Sequence, residues 1–161
     1  MKNYFKFIVY LFVALGFSSA MADSYTEYFR AVRGDNYPAI QRLLDRGFDP
    51  NSVDPEGRTG LHMAVEEEAF RVIRVLLAHP DIKVDQPNAA GETPLMTAAI
   101  KGYTDVCRSL IAKGATINKP GWTPLHYAAA SGGTEPVELV LEHHAHIDAT
   151  SPNRTTPLVR G

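Results

Sequence analysis

Apolar residues in this chain fall into short stripes separated by polar, glycine-marked breaks, and the same stripe keeps returning. Ile40, Leu43 and Leu44 form one, and Val72, Ile73, Leu76 and Leu77 the next. Val106, Cys107, Leu110 and Ile111 follow, then Val137, Val140 and Leu141. Offsets of three and four residues put such side chains on one face of a 3.6-residue helix. Ahead of the later stripes runs a second apolar segment rich in small residues, so each stripe is the second helix of a pair. The pattern predicts helices over Gly60 to about Glu67 and Phe70–Ala78 in one pair. It predicts further second helices over Thr104–Ala112 and about Glu135 to His143.

The first helix of each pair opens on one phrase. Its fullest copy is Gly121-Trp122-Thr123-Pro124-Leu125-His126-Tyr127-Ala128-Ala129. Gly91-Glu92-Thr93-Pro94-Leu95-Met96-Thr97-Ala98-Ala99 and Gly57-Arg58-Thr59-Gly60-Leu61-His62-Met63-Ala64-Val65 vary it, and Arg154-Thr155-Thr156-Pro157-Leu158 begins it again. The threonines Thr59, Thr93, Thr123 and Thr156 stand 34, 30 and 33 residues apart. Threonine is suited to cap a helix by accepting a first-turn N–H. Proline beside it sits where a missing N–H costs nothing. The paired alanines keep the helix thin, so that a neighbouring unit packs closely.

A period near 33 with a T-P-L-H-x-A core resembles the ankyrin repeat. The resemblance covers about Ser24 to Leu158 and implies an all-α repeat solenoid, a stack of helix–turn–helix units with projecting β-turn fingers. It also implies that His62 and His126 tie successive units together by hydrogen bonds, as a buried imidazole requires.

The array divides into residues 23–56, 57–90, 91–120, 121–153 and an incomplete 154–161. The first unit lacks the phrase and is expected to cap the stack. Gly47 should end its second helix in the left-handed C′ position, and Ser52 to Glu56 should form the first finger. Unit two departs twice, with Gly60 in place of proline and Glu68 in place of the glycine between helices. In unit three only Lys119 and Pro120 separate Asn118 from Gly121, against five residues between Asn51 and Gly57. The third finger should be truncated, leaving a notch beside Trp122. In the incomplete fifth unit the second helix is missing, so Val137, Val140 and Leu141 are expected to be poorly covered, by truncation of a longer array or by a partner that completes it. That end should be the least stable.

The amino terminus has a different character. Lys2 and Lys6, the apolar run Phe7 to Phe17 and the small residues Ser18-Ser19-Ala20-Met21-Ala22 predict a secretory signal peptide cleaved after Ala22. The run is short of the ~20 residues a spanning helix needs, and an uncleaved anchor is the alternative. The compact pattern looks bacterial, which makes the destination periplasmic or secreted, without stable membrane insertion after cleavage. The remaining 139 residues carry 14 basic and 18 acidic side chains, a formal charge of −4. That balance argues against nucleic acid, which demands clustered Lys and Arg. Cys107 is the single cysteine, so no intramolecular disulfide forms. It occupies a usual valine position and reads as a small buried hydrophobe.

Ankyrin arrays are generally protein-binding modules, so the resemblance implies an unidentified protein partner. The partner would be held by the concave face of inner helices and fingers. The phrase selects Arg58, Glu92 and Trp122 at the finger bases, Met63, Thr97 and Tyr127 after the histidine position, and Ile100 one turn later. Trp122 and Tyr127, with Ile100 and Tyr103, are expected to form an aromatic patch beside the short finger, since Trp and Tyr are favoured at binding hot spots. Resemblance to exported bacterial relatives suggests support of a stress enzyme such as catalase, or toxin immunity. No nucleophile, base and orienter set is visible, and neither a cofactor nor a catalytic residue is expected. The alternative is metal binding or metal-dependent hydrolysis at His143, His144 and His146, although a structural zinc typically needs four ligands. The acidic run Glu66-Glu67-Glu68 reads as a solvated helix end, because adjacent helix positions point in different directions. Oligomeric state is not legible.

Overall fold

The computed structural model describes residues 19–157; the basic start, the apolar run Phe7 to Phe17 and residues 158–161 lie outside them. Among the described residues eight helices follow one another: α1 Ser19–Arg33, α2 Tyr37–Asp45, α3 Gly60–Glu66, α4 Phe70–Ala78, α5 Pro94–Ile100, α6 Thr104–Ala112, α7 Pro124–Ser131 and α8 Thr134–Glu142. They form four pairs, with α3, α5 and α7 stacked as the inner row and α4, α6 and α8 as the outer row. Among the described residues the extended structure amounts to one antiparallel bridge, Val53 to Thr59, in the first finger. This is the all-α repeat solenoid.

Local chemistry accounts for the inner helices. Thr59 and Thr93 accept the N–H of His62 (3.1 Å) and Met96 (3.4 Å), so both are side-chain caps. Pro94 and Pro124 are the first residues of their helices. Thr123 departs from the expected cap: its hydroxyl lies 2.8 Å from His126 Nδ1 instead. At the position between helices, Gly102 and Gly132 have φ of 73° and 72°, and Glu68 adopts 59°. Glu68 therefore stands in a left-handed conformation that L side chains adopt only at a cost.

Gly60, the other irregular position of unit two, has a steric cause. A Cβ there would overlap the Tyr28 hydroxyl and lie 2.6 Å from ring atoms Cε1 and Cζ. Tyr28 is fully buried and its hydroxyl donates to the Pro50 carbonyl at 2.9 Å. The phenol of the capping unit occupies the space a proline ring would need.

A continuous core runs through the stack, from Tyr28, Val32 and Ile40 through Leu61, Val72 and Leu76 to Leu95, Leu110, Leu125, Leu139 and Val140. In α8 the inward residues are Pro136, Leu139 and Val140. This corrects the expected set: Leu141 is 37% exposed and Val137 only partly buried. Ile111 is likewise partly buried. Pro136, Leu139 and Val140 have the same three- and four-residue offsets as the expected set, so this segment offers two apolar faces one position apart and the structure buries the earlier one.

Side chains at the finger bases clamp each unit to the next. Asn51 donates to the Asp81 carbonyl (2.9 Å) and accepts from Lys83 N (2.8 Å). Asp85 accepts from Thr116 N at 2.9 Å. Asn118 donates to the His144 carbonyl and accepts from His146 N, both at 2.9 Å. Asn118 is thus a base residue like Asn51, and the third finger is short because only Lys119 and Pro120 follow it.

Candidate functional site

The expected binding residues separate into two groups once the units are stacked. Met63 is fully buried and Thr97 nearly so, so neither belongs to a contact surface. The inner helices α3 and α5 each lie between two others of the row, α1 and α5 for one and α3 and α7 for the other, and in α3 every residue from Gly60 to Val65 is buried. Arg58, Glu92, Trp122 and Tyr127 are partly exposed, and Ile100 is 40% exposed. Tyr103 is not part of this group: its ring stacks edge-on against Phe70 at 5.4 Å.

The Trp122 ring meets His126 at 5.3 Å and Tyr127 at 6.4 Å, both edge-on. The Tyr127 hydroxyl donates to Glu92 Oε1 at 3.1 Å, so the aromatic ring is held across two units. Arg58 is more strongly engaged. It pairs with Asp54 (2.7 Å), Glu66 (2.8 Å) and Glu56 (3.6 Å). Burial pushes the Asp54 carboxyl up, but bonds from the Arg58 N–H and guanidinium outweigh this and hold it below the ordinary range.

Both histidines of the repeated phrase are buried, and they bond differently. His126 Nδ1 accepts from Thr123, with the backbone N at 3.2 Å, and its Nε2 faces the Thr155 carbonyl at 3.2 Å. That ring sews α7 to the following finger. His62 turns Nε2 toward Thr97 Oγ1 (3.0 Å), Asn88 Nδ2 (3.3 Å) and Glu66 Oε1 (3.6 Å). Its Nδ1 is buried and has no hydrogen-bond partner among the described residues. Burial lowers the His62 pKa, against the pull of Glu66 and Glu92. Asn88, which the phrase did not single out, continues the chain by donating to Glu92 Oε2 at 3.0 Å.

The remaining candidates have structural surroundings. Glu66 serves Arg58, and Glu68 acts on the Tyr103 hydroxyl, whose pKa burial first and this carboxylate second raise to about 12. His143 Nδ1 faces the Leu139 carbonyl at 2.9 Å. His144 has φ 63°, the conformation of the loop glycine it replaces. Among the described residues no three His, Cys, Asp or Glu side chains converge as a metal site. Cys107 is buried, and burial pushes its thiol up to about 12; the thiolate a nucleophile needs is suppressed there.

Comparison with known proteins agrees with this geometry. The family model for ankyrin repeats (3 copies) matches residues 28–120 and 81–151. The chain belongs to the ankyrin-repeat family. It is 32% identical over 139 residues to human transient receptor potential cation channel subfamily A member 1 and 33% identical over 131 residues to mouse neurogenic locus notch homolog protein 1. Each match covers 80% of this chain, which spans 12% of the channel and 5% of the notch protein. Ankyrin repeats are protein–protein interaction units and generally non-catalytic. Among the described residues no helix is long and apolar enough to cross a membrane.

Proposed function

We propose that this array is a non-catalytic scaffold that holds a protein partner against its concave face, through Ile100, Trp122 and Tyr127, with Arg58 and Glu92 at the edge. The observation that carries this reading is the Trp122–Tyr127 pair, partly exposed and pinned by Glu92 beside the shortened third finger. Aromatic side chains held in place bury much area at little entropy cost, which is the character of a hot spot. Ile100 adds a 40% exposed aliphatic side chain near the end of α5.

The pattern from Lys2 to Ala22 supports export to the periplasm or secretion. The buried residues of α1 (Tyr28, Phe29, Ala31 and Val32) all follow Ala22, so cleavage after Ala22 removes none of them.

Affinity capture from periplasmic extract at about neutral pH tests the reading, comparing the parent with the Trp122→Ala, Tyr127→Ala double variant. A partner retained by the parent and reduced at least about tenfold by the variant is the expected result, since two hot-spot truncations together cost more than 1.4 kcal/mol. Equal recovery on both proteins would overturn the assignment of the face.

A further inference from the structure

We propose that the concave face carries a built-in acid switch: protonation of His62 breaks its contact with Asn88 and loosens the second finger, through which Glu92 holds Tyr127. The inference rests on the reading of that face as the binding surface, and it concerns how the surface is regulated.

The argument starts from Asn88. Its Oδ1 accepts two backbone N–H groups of its own finger, Ala90 N at 2.9 Å and Glu92 N at 3.0 Å. The side-chain amide is thereby oriented, and its NH₂ must point the other way. One N–H reaches Glu92 Oε2 at 3.0 Å and the other faces His62 Nε2 at 3.3 Å. A donor facing Nε2 requires that nitrogen to accept, which puts the single ring proton of neutral His62 on Nδ1, the buried nitrogen that has no partner among the described residues. Neutral His62 is therefore a working part of the finger: Asn88 uses it to satisfy its second N–H.

Protonation changes one thing, the role of Nε2. The imidazolium donates from both nitrogens, and an N–H of His62 then opposes an N–H of Asn88. Two acceptors stand ready on the other side, Thr97 Oγ1 at 3.0 Å and Glu66 Oε1 at 3.6 Å. The ring is drawn to Glu66 and away from Asn88. Asn88 in turn is tied to Glu92 by three bonds: its backbone N–H donates to the Glu92 carbonyl (2.9 Å), its Oδ1 accepts the Glu92 N–H, and its side-chain N–H donates to Glu92 Oε2, the bond that orients the carboxylate. Glu92 is the acceptor that fixes the Tyr127 hydroxyl. A charge on one buried ring is thus transmitted from unit two through finger two to unit four.

The surrounding charges favour a single switching group. On the elements facing His62 stand Glu66 of α3, Asp54 and Arg58 of the first finger, and Glu92 of the second. Lys101 of α5 reaches the Glu66 carbonyl at 3.0 Å. From α1 the Tyr25 and Tyr28 hydroxyls are bonded to the Val53 and Pro50 carbonyls and stay neutral. The buried residues of α4 are Val72, Ile73, Leu76 and Leu77, which do not titrate. Burial holds His62 neutral until the pH is below the ordinary imidazole value of about 6.5.

Nuclear magnetic resonance of the full chain, without any partner, tests the switch from about pH 7.5 to about pH 4.5, a range spanning the ordinary imidazole titration. The Asn88 side-chain amide, the Ala90 and Glu92 N–H signals and the Tyr127 ring should shift with the same midpoint as the His62 ring. In His62→Gln, whose amide oxygen accepts from Asn88 but does not titrate, those shifts should vanish. Asn88→Asp is the second variant, expected to fold because Asp54 takes the equivalent place in the first finger. Replacing the opposed N–H by a carboxylate should raise the His62 midpoint by about one unit or more. Asn88 signals that stay flat while His62 titrates would overturn the proposal, and so would an unchanged midpoint in Asn88→Asp. Because no partner is involved, these outcomes are separate from the capture experiment at neutral pH, which alone decides whether the face binds.

Discussion

Units two and four begin with nearly the same phrase and solve the same packing problem in different ways. In unit four the parts largely satisfy one another: Pro124 opens the helix, His126 Nδ1 takes its proton donors from Thr123, and Gly132 supplies the left-handed turn, while His126 Nε2 reaches on to the Thr155 carbonyl. In unit two each corresponding position leans on another unit. Gly60 is small because Tyr28 occupies its space, Glu68 holds its strained turn while its charge acts on Tyr103, and His62 finds its partners in Thr97 and Asn88. The lesson is that a departure from the repeat marks the place where a neighbour has reached in. A repeat that looks degraded in isolation is one whose missing parts sit elsewhere in the chain.

The largest break in this comparison should come at Gly60. Gly60→Ala drives a methyl into the Tyr28 ring and should cost about 3 kcal/mol in denaturant unfolding, at the high end for overpacking. In a Tyr28→Leu background the added cost should fall below about 1 kcal/mol, since the ring atoms it strikes are gone. A full cost in both backgrounds would show that the glycine answers to backbone geometry and not to Tyr28.

Next in size is the histidine pair. His126→Ala leaves the buried Thr123 donors and the Thr155 carbonyl without a partner and should cost about 2 kcal/mol. His62 differs in its pH signature. Its folded-state pKa is lowered by burial, so in the window between that value and about 6.5 the unfolded chain binds more protons. The His62 contribution is complete above about pH 6.5 and declines as the pH falls through that window. Measured stability should therefore lose part of its acid slope in His62→Gln; an unchanged slope would remove His62 from the account.

The smallest effects belong to the helix breaks. Gly132→Ala forces a Cβ into φ 72° and should cost about 1 kcal/mol. Glu68→Gly relieves a similar conformation but gives up the interaction with Tyr103, and should change stability by no more than about 0.5 kcal/mol in either direction. A gain of about 1 kcal/mol in Glu68→Gly would mean that the interaction with Tyr103 contributes nothing.

The helices of units two to four were legible in the sequence almost to the residue, because their signals are local: threonine before the first turn, proline at its start, glycine at its end, and a stripe of period 3.6. The binding face was legible only in part. Met63 and Thr97 occupy the same phrase position as Tyr127, and nothing in a single unit distinguishes them. What separates them is cover from the adjacent units: Thr97 and Tyr127 each bond a side chain 35 residues back, His62 and Glu92, yet Thr97 is buried and Tyr127 partly exposed. Asn88 was invisible for a related reason. Its importance comes from a histidine 26 residues earlier, a separation that no local pattern records. Tyr28 and Gly60 are the same case. The stripe of α8 failed by one position, since Val137, Val140 and Leu141 and the buried Pro136, Leu139 and Val140 are both apolar at helical spacing.

The clamps formed by Asn51, Asp85 and Asn118 sit at the roots of the fingers, not at their tips. The spine of the molecule is therefore indifferent to finger length. Successive intervals of 34 and 30 residues between threonines fit the same stack, as ribs of unequal length fit one backbone. Residues added between Lys119 and Pro120 would lengthen a rib without moving a vertebra, so the outline of the concave face is free to change while the stack that presents it stays as it is.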